Sequence, residues 1–251
     1  MDVSLNALRT SVERLRATAT ALDDAQLVGA SYCREWTIAD VLSHIGSGAV
    51  IMRRGLQDAL DGTQTPGDFA PGVWDEWNAK SPRAKTDDAL ATDAALLEAL
   101  EAVSGEERAA LTFSVGPMTL DFPTFVGMRL NEHVLHTWDV EVALQGTAVL
   151  PADAVPLVVD NLGLIARFTA RPIGTTRSIA VRTTDPSRDV TVTLSADAVD
   201  YDPSGSGDPD LVLPAEALCR LVYGRLDPDH TPAYTGDEQA LDALRQVFPG
   251  P

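Results

Sequence analysis

The sequence predicts a two-domain protein, with an N-terminal bundle of four helices in residues 1–150 and a smaller α+β domain in residues 151–251. Four segments of the first part place apolar side chains at helical spacing. After Pro151 the chain changes to short β-type runs that are separated by Asp, Pro, Ser and Gly. A hydrophobic content of 45% in 251 residues is sufficient for a sizeable core.

The first two predicted helices have distinct signals. Residues 3–22 carry apolar side chains at helical spacing, namely Leu5, Leu8, Val12, Leu15 and Leu22. The second helix begins after Thr37, because Thr37 and Asp40 have the spacing of a capping box. Its buried stripe then consists of Ile38, Val41, Leu42 and Ile45.

The rest of the first domain is predicted to contain a loop, a hairpin and two more helices. Residues 62–83 are rich in Gly, Pro and large aromatic side chains, which favours a long loop. A third helix fits residues 86–103, and FSVGPMTLDF at 113–122 alternates around Gly116–Pro117 like a small hairpin. A fourth helix runs from about Pro123 to Leu144. Four long amphipathic helices in succession are typical of a four-helix bundle.

The second domain is predicted to begin with a helix at 152–169. Short β-type runs follow in RSIAVRTT, DVTVTLS, AVDYD and DLVLP, with a turn at SGSG, residues 204–207. Helical spacing returns in residues 214–225 and again in the final ALDALRQVF. This order of elements predicts an α+β domain.

Composition excludes several classes of function. A net charge of −18 and a pI near 4.4 would repel phosphate backbones and anionic lipid, so we expect neither a nucleic acid nor a membrane as partner. Two distant cysteines exclude a disulfide framework. The charged N-terminal pattern is not that of a signal peptide, and we expect a cytoplasmic protein. Lysine is nearly absent, which suggests a GC-rich bacterial genome.

The segment NEHVLH contains the most informative pair of residues. On a helix, Glu132 and His136 lie about 40° apart and one turn along, whereas His133 points elsewhere. One carboxylate oxygen and one imidazole nitrogen suit zinc. The segment is not an H-E-x-x-H motif, because residue 131 is Asn, so the zinc-protease pattern is incomplete. A third ligand must come from another helix, and His44 on the second helix is the best candidate.

Structural alternatives exist for each of these residues. His44 alone would ordinarily be a satisfied core histidine or a partly exposed one, and Glu132 and His136 could form an i,i+4 pair on a solvated face. The flanking Leu130 and Val134 argue against a fully solvated helix.

The order and spacing of these motifs resemble those of a known family. WTIADVLSH at 36–44, followed about 90 residues later by NEHVLHTWD at 131–139, is similar to the mycothiol-dependent maleylpyruvate isomerase family. The resemblance implies a DinB-like metal-binding bundle. The Gly-Arg pair at 224–225 and TGD at 235–237 resemble that family's sterol-carrier-like second domain.

Membership implies a site and an activity. It implies a divalent metal, usually zinc, held by His44, Glu132 and His136. It also implies mycothiol as a thiol co-substrate, whose thiolate either isomerises an activated C=C bond or takes part in S-transfer. The substrate would be a small electrophile, and an anionic one would need an arginine. Our hypothesis is that Arg225 binds its carboxylate; the alternative is a cation at a helix C-terminus.

Other polar residues are assigned to structure. Cys33 and Cys219 are predicted to pack inertly, and Asp40 to cap its helix. Asp139 could orient a metal-bound histidine or be an exposed carboxylate, so it stays outside the predicted site. His133 and His230 are given no role.

Three functions therefore compete. The first is a metal- and thiol-dependent isomerase or S-transferase. The second is a non-catalytic module that binds a metal or an apolar ligand. The third, a zinc hydrolase, lacks an evident general base beside Glu132. The sequence does not indicate the substrate or the oligomeric state.

Overall fold

The computed structural model describes residues 3–115 and 118–250. The chain divides after Ala148 into two compact units, which we call unit 1 and unit 2. This division lies close to the change of composition after Leu150. None of the helices in the described ranges is long and apolar enough to cross a membrane.

Unit 1 is built on four long helices. They are α1 (Val3–Thr20), α3 (Ile38–Asp61), α5 (Pro82–Ala102) and α7 (Phe122–Leu144), with the short α2 (Asp24–Leu27) between the first two. Helices α1 and α3 each pack against both α5 and α7, which closes the four into a bundle. The predicted helical bundle is confirmed.

Helix α3 begins as the capping pattern predicts. The Thr37 side chain accepts a hydrogen bond from the backbone N–H of Asp40, and the Asp40 carboxylate accepts one from the backbone N–H of Thr37. Lys85 on α5 adds an ion pair to Asp40 at 2.7 Å. Asp40 therefore caps one helix and ties it to another.

The predicted loop at 62–83 is wrong in its middle, because residues Phe69–Asn78 form helix α4. Phe69, Val73 and Trp77 recur every four positions, and the last two are buried. Pro71 lies in the first helical turn, where a missing backbone N–H costs no helical hydrogen bond. The Gly and Pro content of the segment hid this periodicity.

Two further elements complete unit 1. A short helix, α6 (Gly105–Ala110), was not predicted, although Ser104 and Glu107 form its capping box. Strands β1 (Thr112–Val115) and β2 (Met118–Asp121) pair antiparallel, as expected for the hairpin. Its predicted turn at Gly116–Pro117 lies outside the described residues.

Unit 2 opens with two helices instead of the one predicted over 152–169. Helix α8 (Val155–Asp160) ends at Asn161, and α9 (Leu162–Thr169) begins after the same residue. Asn161 closes α8 through its backbone N–H, which donates to the carbonyls of Val158 and Val159. The sequence shows one continuous apolar pattern over both segments, which is why a single helix was predicted.

A five-stranded sheet forms the rest of unit 2. Its strands are β3 (Arg177–Thr184), β4 (Asp189–Leu194), β5 (Val199–Asp202), β6 (Leu211–Pro214) and β7 (Thr235–Gly236). They lie in the order β5-β4-β3-β6-β7, with β3 and β6 parallel and the other pairs antiparallel. Helices α10 (Ala215–Val222) and α11 (Glu238–Val247) complete the α+β unit that was predicted.

Candidate metal centre

Helices α3 and α7 bring the three predicted metal ligands together. His44 Nε2 lies 3.4 Å from Glu132 Oε2, and His136 Nε2 lies 3.5 Å from the same oxygen. The two imidazole rings have centroids 4.6 Å apart. Donor atoms of all three residues lie within 4.8 Å of one another, so they converge on one point.

The distances and the donor types fit a zinc ion. A charge-assisted N–H···O hydrogen bond is about 2.7–2.9 Å long, which is shorter than either His–Glu distance here. Tetrahedral ligands with bonds of about 2.0–2.1 Å would lie about 3.3–3.4 Å apart. Two nitrogens and one carboxylate oxygen are also donors that zinc prefers.

One side of the cluster is open. The side chains of His44 and Glu132 are 41% and 40% exposed, whereas His136 is buried. Three protein ligands with an accessible side are typical of catalytic zinc sites, because a structural site is closed by a fourth protein ligand. The arrangement therefore has room for an exogenous ligand.

The carboxyl group of Glu132 is strongly biased toward its charged form. Desolvation opposes ionisation, but hydrogen bonding and charge interactions with His136 and His44 outweigh it and hold the pKa of Glu132 well below its usual range. A carboxylate that stays ionised is the form that binds a cation.

Asp139, which was left outside the predicted site, orients His136. Its Oδ2 lies 2.8 Å from His136 Nδ1 and 3.1 Å from Cys33 Sγ. Because a carboxylate only accepts hydrogen bonds, Nδ1 carries the hydrogen and the lone pair of neutral His136 is on Nε2, which faces Glu132. Asp139 is completely buried, so the alternative of an exposed carboxylate is wrong.

The sequence contains a signal for the contact between Asp139 and His136, but that signal allows more than one interpretation. Asp139 is three residues from His136, a spacing that places both side chains on one helix face. The role of Cys33 had no sequence signal, since the contact joins residues 106 positions apart. Cys33 is buried as predicted, and its thiol also donates to Asp139.

His133 points away from this cluster and enters a separate buried network. Its Nε2 lies 2.6 Å from Asp93 Oδ2, and its Nδ1 lies 2.7 Å from the Ser11 hydroxyl. Arg129 donates to the other Asp93 oxygen and to the backbone carbonyl of Ile45. All four side chains of this network are buried, so it ties α1, α5 and α7 together inside unit 1.

Arg225 lies in unit 2 and is only 3% exposed. Its Nη1 donates to the backbone carbonyl of Tyr223, which follows the end of α10. This contact agrees with the alternative of a cation at a helix C-terminus. Carboxylate binding by Arg225 stays a prediction.

The remaining singled-out residues have local roles. Cys219 is completely buried, and this burial raises the pKa of its thiol, as expected for an inert packing residue. His230 contacts the carboxylate of Asp227 at 2.9 Å. Neither residue belongs to the candidate metal centre.

Comparisons with known proteins agree with the fold. The crystal structure of the mycothiol-dependent maleylpyruvate isomerase has a TM-score of 0.65 and 15% identity, over 90% of this chain and 89% of that one. A histidine-to-alanine mutant of a protein of that name has a TM-score of 0.67 and 14% identity, over 92% and 91%. At such identities the likeness concerns the fold. No curated protein sequence matches the chain significantly.

A family model carries the relationship further. The model described as the mycothiol maleylpyruvate isomerase N-terminal domain matches residues 8–141, which is more than half of the chain. This range includes α3, all but the last three residues of α7, and all three candidate ligands. The chain therefore belongs to the mycothiol maleylpyruvate isomerase N-terminal domain family.

Proposed function

We propose that the protein is a metal- and mycothiol-dependent enzyme that acts on a small electrophile, by cis–trans isomerisation or by S-transfer. The observation that carries this proposal is the open His44/Glu132/His136 cluster, with donor spacings of 3.4 and 3.5 Å. Zinc is the metal that this donor set favours, and another divalent ion is the alternative.

The names of the similar proteins support the thiol half of the proposal. Both solved structures are described as a mycothiol-dependent maleylpyruvate isomerase, and the matching family carries the same words. We extend the thiol dependence and the isomerase class from these proteins to this chain. The physiological substrate is left open, as are the predicted cytoplasmic location and the predicted GC-rich bacterial source.

The side chains around the cluster have complementary tasks. A bound zinc ion would supply the positive charge that favours the thiolate form of a nearby thiol, whose ordinary pKa is about 8.5. Asp139 keeps the hydrogen of His136 on Nδ1 and thereby keeps Nε2 free to bind. The Trp36 ring lies beside His44, with the two ring centroids 5.4 Å apart.

The two candidate reactions share their first step. The thiolate adds to one carbon of an activated C=C bond, and the electron pair of that bond moves onto the conjugated carbonyl. Rotation about the new single bond and expulsion of the thiolate then restore the C=C bond in the other configuration. If the substrate carries a leaving group instead, the thiolate attacks the carbon that bears this group. The C–S bond forms, and the group departs with the electron pair of its own bond to that carbon.

The test is the metal content of untagged protein by elemental analysis. We expect about one zinc per chain in the wild type and a loss of most of it in His136→Ala, because two remaining ligands hold zinc weakly. His230→Ala is the matched control, since it removes a histidine from unit 2, and it should keep its zinc.

A metal-free wild type that also fails to bind added zinc would contradict the proposal. The non-catalytic binding module would then lead, although its apolar form has little support in unit 2. The apolar depression beside Leu211, Ala217 and Leu241 has no room for a water molecule.

The prediction for Arg225 has a test of its own. Replacement by Ala should raise KM for an anionic substrate while the zinc content stays unchanged, because Arg225 is not among the proposed ligands. Full retention of kcat/KM would leave Arg225 with a structural role at the end of α10.

A further inference from the structure

A pocket of about 350 Å³ adjoins the candidate metal centre within unit 1. Helix α3 contributes Ser43, His44 and Ser47 to its wall, and α4 contributes Trp74, Trp77 and Asn78. His44 is therefore both a proposed metal ligand and part of the pocket wall. A volume above about 300 Å³ is sufficient for a small organic ligand.

Two tryptophan side chains that line this pocket are unusually exposed to solvent. Trp36 is 37% exposed and Trp74 is 50% exposed, although indole rings are ordinarily well buried. Trp77, which also lines the pocket, is buried. Flat aromatic faces attract the C–H groups of a ring that lies against them.

Several hydrogen-bonding groups of the pocket are unused. Ser43 is 5% exposed, and its hydroxyl has no hydrogen-bond partner among the described residues. Within the same described ranges, the indole N–H groups of Trp36 and Trp74 and the side-chain amide of Asn78 also have none. A ligand with many hydroxyl groups could pair with them as donor and as acceptor.

The charge of the pocket excludes an anionic ligand. Its described lining residues include no arginine or lysine, and its one carboxylate, on Asp40, is already paired with Lys85. A carboxylate placed among these residues would lose its hydration without gaining an arginine or lysine as partner. A neutral ligand with hydroxyl groups meets no such penalty.

Size alone would not select this pocket. One cavity of about 260 Å³ is lined by Arg53 and Arg54, and another of about 360 Å³ lies beside Asp58 and Thr63. Neither is lined by one of the candidate metal ligands or by a tryptophan. The combination of exposed indoles, unpaired hydrogen-bonding groups and His44 belongs to the pocket between α3 and α4.

We propose that this pocket binds a neutral polyhydroxylated ring, the part of the thiol co-substrate that is remote from its sulfur. This inference rests on the proposed function. Mycothiol joins an N-acetylcysteine to a glucosamine–inositol unit, so it carries such rings at a fixed reach from its thiol. Trp74 and Trp36 pack against the ring faces, and Ser43 and Asn78 pair with hydroxyl groups.

The test compares two thiols that differ in the ring portion. Dissociation constants of mycothiol and N-acetylcysteine are measured by calorimetry on zinc-loaded full-length protein, as wild type, Trp74→Ala and Ser43→Ala. Phe168→Ala is the control, because Phe168 is a similarly exposed aromatic residue in α9 of unit 2. Zinc content and circular dichroism are recorded for every variant.

We expect Trp74→Ala to bind mycothiol about tenfold more weakly than the wild type, with a smaller loss in Ser43→Ala. Both should bind N-acetylcysteine unchanged, and Phe168→Ala should bind both thiols normally. Equal mycothiol affinity in the wild type, Trp74→Ala and Ser43→Ala would overturn the inference and leave the proposed function intact. If the zinc-loaded wild type binds neither thiol, the proposed function fails, and this inference fails with it.

Discussion

At the residue scale, the sequence predicts the cluster because its geometry is local. Glu132 and His136 are one helical turn apart, so their convergence follows from the helix alone. The role of Asp139 follows only partly from the sequence. The contact of Asp139 with His136 is local, but Asp139 also contacts Cys33, which lies before α3. Such a contact requires the packing of two distant segments.

The buried carboxylate of Asp93 leads to a stability prediction. Asp93→Asn removes the negative charge that faces Arg129 and His133, and it leaves a buried guanidinium without its ion pair. We expect a loss of about 3–5 kcal/mol in the free energy of unfolding. Asp88→Asn on the same helix is the control, because Asp88 is half exposed, and it should change stability by about 0.5 kcal/mol or less. Urea unfolding measures both.

The same carboxylate gives stability a dependence on pH. Burial alone would raise the pKa of Asp93, but His133 and Arg129 outweigh it and hold the pKa well below its usual range. A pKa that is lower in the folded than in the unfolded state stabilises the fold above about pH 4. That contribution is lost as the pH falls further. The slope of unfolding free energy below pH 4 should be smaller in Asp93→Asn than in the wild type.

At the element scale, the long helices were predictable and the short ones were not. Helices α1, α3 and α5 bury residues at helical spacing over many turns, which a periodic pattern reveals, and α7 is a long helix that is buried on most of its faces. Helix α4 has ten residues, two of them Pro and Gly, and its identity depends on burying Trp77 against α3. The packing of α4 against α3 determines that burial, whereas the Pro and Gly of the segment favour a loop.

The contact between α3 and α4 gives a second stability prediction. A Cβ atom on Gly46 would lie 2.3 Å from the Trp77 ring and 2.8 Å from the backbone of Ala89 on α5. Gly46→Ala should therefore destabilise the protein by about 1–3 kcal/mol through overpacking.

Gly55 provides the matched control, because it lies in the same helix with no atom within 4 Å of an added Cβ. Gly55→Ala should stabilise the protein by about 0.5–1 kcal/mol, since alanine is the better helix former. Thermal unfolding of both variants measures these two changes in stability. A Gly46→Ala protein as stable as the wild type would show that Trp77 is loosely held.

At the scale of the whole molecule, the two parts were predictable in type but not in topology. The change from helical to alternating patterns is visible in the sequence, so the α+β character of unit 2 follows. The parallel pairing of β3 with β6 does not follow, because it joins strands with two others between them. Pairing of this kind is decided by the packing of the whole unit.

The last prediction concerns what unit 1 can do alone. All three proposed ligands and Asp139 lie before Ala148, and so do the four bundle helices that hold them. A chain that ends at Ala148 should therefore keep its helical circular dichroism and bind about one zinc, and His136→Ala in the same fragment should abolish that binding. A folded fragment without zinc would mean that the centre needs a group from unit 2. Arg225 carries no donor that zinc accepts at neutral pH, so the search would then turn to the carboxylates of unit 2.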